Sequence, residues 1–401
     1  MMEYILFGES HGPAVGVLLR SVPAGLPADE NLIYTDLLRR KAFGGITTSR
    51  VENDKIEFFS GVFQGKTTGD PVVAILRNEN ADSSAYDALR HLPRPGHGDY
   101  TAFVRSGGHN DPRGGGHLSG RLTAPLVAAG SLAKAYLETK GITVTAEIVE
   151  EDSLRQRAEE ARREGDSVGG QIRCTVRGVP AGLGGGDYTE AVESEIARHV
   201  FAVPAVKAIG FGAGEDFAAM RGSEANDPLR TDGEHIYTTT NHAGGINGGI
   251  TNGMDIDFTV TFRPTPSIAG PQDTVDLSTM ENTSVTVTGR HDACVVLRAA
   301  PAVEAAAALA ICALWQEEAD DLPGLRRELD EVDRQLVPLF ARRQELSRQV
   351  GEYKRSRGLP VQDREREAEV LSDRAAMAPD HADEVQALYE EILRLSREVQ
   401  E

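Results

Sequence analysis

The spacing of apolar residues along the chain changes character once. Up to about residue 315, Val15–Leu19, Val72–Leu76, Ile142–Ile148, Gln171–Val176, Asp255–Phe262 and Ser284–Thr288 are short, β-branched runs of the kind that form strands. Among them, Ala124–Glu138, Tyr188–His199 and Pro301–Gln316 read as helices. Glycine-rich turns separate these segments, and the interleaving predicts an α+β or α/β fold with long loops. From Leu325 the spacing becomes helical. Leu325, Leu329, Val332, Leu336, Leu339, Phe340, Leu346, Val350 and Tyr353 recur at intervals that make one apolar stripe. A first helix of ~30 residues would be ~45–50 Å long at 1.5 Å per residue. That outreaches an 80-residue domain, so the stripe calls for a partner chain and predicts a dimer. Pro338, inside the stripe, predicts a kink or a missing hydrogen bond. Arg355–Pro360 ends this helix, Asp363 caps a second, and Ala378-Pro379-Asp380 leads into a third.

Glycine places the boundary between the two patterns. Of 42 glycines only Gly351 and Gly358 lie beyond position 324, and QEEADDLPG at 316–324 reads as an acidic linker ending in a helix-stop signal. We therefore expect a domain at 1–318 and an all-α, three-helix domain at 322–401. Charge narrows the partners. With 62 acidic against 42 basic residues the net charge is −20, which argues against nucleic acid and anionic membranes. A small anionic substrate is still compatible, because a local basic pocket can sit in an acidic surface. Cys174, Cys294 and Cys312 form neither a disulfide framework nor a metal spacing, so no metal is expected. The opening MMEYILFGESHG lacks the apolar core of a signal peptide, and no run approaches the ~18 apolar residues of a membrane span. A cytoplasmic protein is expected.

Five glycine-bordered motifs carry candidate chemistry. Gly8-Glu9-Ser10-His11-Gly12 and Arg94-Pro95-Gly96-His97-Gly98-Asp99 each set a histidine in a loop, where it can exchange a proton near neutral pH. DPRGGGHLSGR at 111–121 joins three consecutive glycines to a helix start, a possible phosphate cradle or else a flexible loop. NHAGGINGG at 241–249 and Gly289-Arg290-His291-Asp292-Ala293-Cys294 complete the set. Neither GxxxxGK[ST] nor a strand-linked GxGxxG is present, which disfavours the common nucleotide-binding folds.

In this order the five motifs resemble chorismate synthase, over residues 1 to about 315. DLLRRK at 36–41, GVFQGKTTGDP at 61–71, VPAGLG at 179–184 and RPTPSI at 263–268 extend the likeness. The resemblance implies an α+β domain of β-α-β sandwich type. It also implies a 1,4-elimination of phosphate from 5-enolpyruvylshikimate 3-phosphate that requires reduced FMN. By position, His11 would protonate the departing phosphate, with Ser10 beside it. His97 would support the flavin's protonation state, and Asp292 would sit at its proton-accepting edge. Ser119, Gly248, Arg263, Thr265, Ser267 and Arg290 fall on flavin-contact positions, and Arg40 and Arg121 on stretches that meet the anionic substrate. The loop GHLSGRLT at 116–123 departs from the family's common Gly-Arg-Ser-Ser-Ala-Arg-Glu-Thr.

On the long helix, Arg343 and Lys354 are 11 residues apart, ~20° from alignment at 100° per residue, so they share a side. Arg326 is ~100° away and could serve only the twin site of a dimer. Residues 322–401 resemble the all-helical chorismate mutase domain, an intertwined dimer, through Leu325-Arg326, Arg342-Arg343, Lys354, Asp363, Arg366-Glu367, Ser396 and Gln400. There Arg343 and a partner's Arg326 would clamp the two carboxylates of chorismate. Lys354 and Gln400 would donate to the ether oxygen and Glu367 would hold a hydroxyl, with Asp363, Arg366 and Ser396 nearby. The implied whole is a bifunctional enzyme that makes chorismate and rearranges it to prephenate, as a homotetramer or other homo-oligomer. The alternative keeps the synthase and makes the helical tail a regulatory or assembly module.

Overall fold

The computed structural model describes residues 2–41, 46, 50, 52–81, 83, 86, 89–185, 188–287, 291–315 and 322–400, with the backbone alone at 188, 322–328, 330 and 331. The chain divides into two compact units, Met1–Gln316 and Glu317–Glu401.

The first unit is mixed α and β. One antiparallel sheet holds β1 (Glu3–Gly8), β2 (Ala14–Arg20), β3 (Ile56–Ser60) and β4 (Val72–Arg77) in the order β1-β2-β4-β3. A second holds β5 (Thr143–Ile148), β6 (Gly170–Arg177), β7 (Val206–Phe211) and β8 (Ile256–Phe262) in the order β5-β6-β8-β7. The helices are α1 (Glu30–Arg39), α2 (Asp99–Ser106), α3 (Thr123–Glu138), α4 (Glu151–Glu164), α5 (Val192–Val200) and α6 (Ala300–Leu314). Alternate residues Val15, Val17 and Leu19 of β2, and Val72, Ala74 and Leu76 of β4, point into the core. Ile256, Phe258, Val260 and Phe262 of β8 do the same from the other sheet. Helix α3 lies on the first sheet, α6 on the second, and the two pack on each other. Apolar on every side but for Glu304, α6 is buried from Pro301 to Ala313. At the crossing, a Cβ on Gly130 would lie 2.2 Å from Ala305 Cβ, so only glycine permits this approach.

One charged group is built into this core. Glu304 of α6 is 3% exposed. It accepts both guanidinium nitrogens of Arg39 at 2.7 Å, Lys134 Nζ at 3.3 Å and the backbone N–H of Ala146 at 2.9 Å. Lys134 also pairs with Asp36 at 2.7 Å. The cluster ties α1, α3, α6 and β5 together. Glu304→Ala would leave two cations around an empty site and should cost about 3 kcal/mol, the low end for a broken buried pair because Arg39 is half-exposed. Denaturant unfolding measures this; a loss below about 1 kcal/mol would mean the cluster does not hold the layers together.

The second unit is three helices: α7 (Leu322–Ser356), α8 (Arg364–Ala376) and α9 (Ala382–Gln400). The helix continues through Pro338, so α7 runs 35 residues, about 52 Å. Asp363 caps α8, its carboxylate accepting from the Arg366 N–H at 3.0 Å. Among the described side chains of this unit no large apolar one is buried. Leu329, Val332, Leu336, Leu339, Leu346 and Val350 all stand exposed along α7.

Candidate active site

A cavity of about 1020 Å³ opens in the first unit. Loops between distant elements line it: the β1–β2 turn with Ser10 and His11, the end of α1 with Arg40, the segment Arg94–Gly98, the loop Gly114–Thr123, and Arg263–Ser267 with His291–Arg298. Its wall carries eight Lys or Arg (Arg40, Lys41, Arg50, Arg94, Arg121, Lys207, Arg263 and Arg298) against three carboxylates, Glu52, Asp54 and Asp292. An excess of five positive charges in a chain of net charge −20 marks a site for a small anion. The volume stands at the upper end of the ~300–1,000 Å³ of ordinary ligand pockets.

The triple glycine stands between the two predicted histidines. Gly114, Gly115 and Gly116 have φ of 57°, 82° and 53°. A Cβ on Gly114 would come within 2.6 Å of the His11 ring, and one on Gly115 within 3.0 Å of the His97 ring. Left-handed backbone and close approach both demand glycine here. His11 Nδ1 lies 2.9 Å from Ser83 Oγ, and its ring meets Tyr86 edge-on at 5.1 Å. His97 Nδ1 lies 2.7 Å from Asp99 and 3.2 Å from Arg94 Nη2. One nitrogen cannot donate to the first and accept from the second at once. Donation to the nearer Asp99 leaves Nε2 on the Gly115 side, facing the cavity. Burial would raise the pKa of Asp99, but hydrogen bonds from Arg94 and His97 outweigh it and hold the carboxylate far below its usual range.

The arginines are braced before any ligand arrives. Asp54 sits between Arg40 and Arg121, all three nearly buried, and its own φ is 53°. Arg40 also donates to Thr123 Oγ1 at 2.7 Å; burial pulls its pKa down to about 9 against the pull of Asp54. Arg50 donates to Ser10 Oγ and to Ser10 O, both at 3.0 Å. Asp292 is held by two bonds from Arg298, at 3.0 and 2.6 Å. Arg94 donates to Ser267 Oγ at 3.3 Å, and Arg263 to Gly96 O at 2.6 Å. Two polar atoms in the wall, Thr265 Oγ1 and His291 Nε2, are buried without a partner. Burial, then the charge of Arg94, lowers the pKa of His291 and favours its neutral form.

In the second unit the candidates gather where α9 packs on α7 and α8. Arg343 donates to Ser396 Oγ at 2.5 Å, and burial lowers its pKa. A Cβ on Gly351 would lie 2.8 Å from Gln400 Cα, so glycine lets the end of α9 close on α7. The Gln400 side-chain oxygen is buried there with no partner. Lys354 Nζ donates to Val361 O at 2.7 Å, and Glu367 accepts from Arg397 at 2.8 Å. Asp363 serves as a cap and Arg366 pairs with Glu369 at 2.8 Å on the surface.

Residues 2–153 and 149–315 match the family model of chorismate synthase, and residues 325–401 that of chorismate mutase type II. The chorismate synthase of Thermococcus gammatolerans is 44% identical over 338 residues, covering 78% of this chain and 95% of that protein. That of Chitinophaga pinensis is 46% identical over 310 residues, covering 76% and 92%. The chain belongs to the chorismate synthase family. A crystal structure of chorismate synthase shares the fold, with a TM-score of 0.60 at 23% identity over 82% of this chain and 97% of that one. With the mutase type II domain behind it, the chain is a bifunctional enzyme of the shikimate pathway.

Of the residues singled out in the synthase region, Ser10, His11, Arg40, His97, Ser119, Arg121, Arg263, Thr265, Ser267 and Asp292 all line the one cavity. Gly248, in the turn joining Ile246–Asn247 to Ile250–Thr251, does not. Arg290 lies outside the described residues, as does the side chain of Arg326. Sequence reasoning passed over Arg94, Asp54, Arg298 and His291 as site residues; the first and last lay inside motifs already marked, which was their only signal. Among the described residues no cluster of His, Cys, Asp and Glu could hold a metal, and no helix is long and apolar enough to cross a membrane.

Proposed function

We propose that the first unit eliminates phosphate from 5-enolpyruvylshikimate 3-phosphate to give chorismate, with reduced FMN bound in the same cavity. The second unit then rearranges chorismate to prephenate. The observation that carries the first reading is a strongly cationic wall with two imidazoles, one against Gly114 and one against Gly115. Arg40, Arg50 and Arg121 bind the substrate's carboxylates and phosphate, in a geometry that guanidinium forks suit. His11 protonates the departing phosphate, and Ser10, held by Arg50, orients it. Asp292, kept in place by Arg298, would sit at the flavin's proton-accepting edge.

The residues fit a flavin: Thr265 and His291 offer unpaired polar atoms in the wall of a large, cationic cavity. Ser119, Arg263, Thr265, Ser267 and Arg290 would hold it. His97, oriented by Asp99, would keep its proton balance. When bound, reduced FMN supplies electron density that lets phosphate leave with no net redox change. Gly248, outside the cavity of the single chain, would contribute only in an oligomer.

In the second unit, Arg343 and a second copy's Arg326 clamp the carboxylates, while Lys354 and Gln400 donate to the ether oxygen as it gains charge. Glu367 takes a hydroxyl, with Ser396, Asp363 and Arg366 around it. Holding the reactive conformer and stabilising that oxygen suffice, so no nucleophile is needed. The uncovered stripe on α7 supports an intertwined dimer of this unit, and a homotetramer of the whole is compatible with it. We place the domains at 1–318 and 322–401, read the first as a β-α-β sandwich, and assign the enzyme to the cytoplasm.

The test is phosphate release from 5-enolpyruvylshikimate 3-phosphate without oxygen. Release should require chemically reduced FMN and stop with oxidised FMN; release independent of the flavin would refute the shared-cavity reading.

A further inference from the structure

One side chain joins the histidine turn to the arginines, and none of the roles above includes it. Asn78 follows β4 immediately, beside the turn that links β1 to β2. Its backbone N–H donates to Pro13 O at 3.1 Å. Its side-chain Nδ2 donates to Gly12 O at 2.8 Å and to Glu9 O at 3.1 Å, the carbonyls flanking Ser10 and His11. On its other side, Oδ1 accepts from Arg121 Nε at 2.9 Å and lies 3.5 Å from Arg50 Nη2. The surroundings fix which way the amide points: guanidinium donors face the oxygen and carbonyl acceptors face the nitrogen. Among side chains of this length only an amide serves both sides. A carboxylate would satisfy the arginines but set negative oxygen against two carbonyls.

We propose that Asn78 is a positioning residue that sets the distance between the His11 turn and the guanidiniums of Arg121 and Arg50. This rests on the reading of His11 as proton donor to the departing phosphate. That proton must arrive at the atom the arginines hold, and a misplacement of about 1 Å can cost about 10²-fold in rate. Arg121 and Arg50 have other anchors, on Arg77 O, Ser10 and Glu52. The anion site therefore survives loss of the Asn78 contacts, while the turn loses its tie to Arg121 and keeps its tie to Arg50 through Ser10, so its register against His11 loosens on the Arg121 side.

The experiment compares full-length wild type, Asn78→Asp and Asn78→Ala in steady-state phosphate release with reduced FMN under anaerobic conditions. Thermal melting and chorismate consumption by the same samples report folding. In Asn78→Asp, which keeps the guanidinium contacts, kcat should fall about 10²-fold with KM within about threefold of wild type. In Asn78→Ala kcat should fall similarly and KM should rise. Wild-type kinetics in Asn78→Asp would overturn the proposal, as would a rise in KM with kcat intact, which would make Asn78 a part of anion binding alone. Loss of the melting transition in both variants would also overturn it, by making Asn78 a folding residue. Absence of phosphate release from the wild type itself would instead sink the reading of His11 on which the proposal rests.

Discussion

His11→Ala should lower phosphate release by about 10²–10⁴-fold, the usual worth of a positioned general acid. Prephenate formation from supplied chorismate should be unchanged. The loss should appear in kcat more than in KM, because the anion is held by Arg40, Arg50 and Arg121 rather than by the imidazole. Those guanidiniums are braced by Asp54, Glu52 and Asn78, so their positions do not depend on His11. The substitution removes a ring that lies against Ser83 Oγ and the Tyr86 ring and beside Gly114. A variant that releases phosphate within about threefold of wild type would remove His11 from the proton's path.

Lys354→Ala should reduce chorismate rearrangement by about 10²–10³-fold, the cost of removing one preorganised donor to a developing oxyanion. Phosphate release and oligomer size should stay as they are. Lys354 gives one of its three protons to Val361 O, which fixes the ammonium's direction and leaves two for a ligand. An assembly module would need the apolar stripe of α7 but neither this lysine nor the buried, unpaired oxygen of Gln400. Undiminished prephenate formation would therefore remove Lys354 from the catalytic set.

The helical unit was legible because its signals are local. The 3–4 spacing of Leu329 to Tyr353 gave α7, and Asp363 announced the start of α8. In the first unit, β2, β4, β6 and β8 were readable because one face of each is buried and the residues alternate. β1 was not, since it is an edge strand whose Ile5 and Phe7 face outward. Helix α4 was hidden by its composition: it buries only Leu154, Ala158 and Ala161 in an otherwise charged run. Of the run Ser284–Thr288, Ser284 and Val285 end the strand Glu281–Val285 that pairs with Gln272–Asp276, Thr286 and Val287 lie past it, and Thr288 is outside the described residues.

The site was legible in its loops and illegible in its braces. The histidines and the triple glycine stood out as motifs. The physical reason for the glycines, room for His11 and His97 on either side, depends on residues about 100 and 20 positions away and emerges only from the fold. Asp54, Arg298 and Asn78 act on partners rather than on a ligand, and no local pattern distinguishes such residues from ordinary surface charge or a strand end.

The most direct measurement is anaerobic incubation of the purified chain with 5-enolpyruvylshikimate 3-phosphate and chemically reduced FMN, with phosphate assayed and chorismate separated from prephenate by chromatography. Phosphate released together with prephenate as the main organic product is the predicted result. Phosphate released while chorismate accumulates would contradict a working mutase in this chain, and no release from folded protein would contradict the synthase.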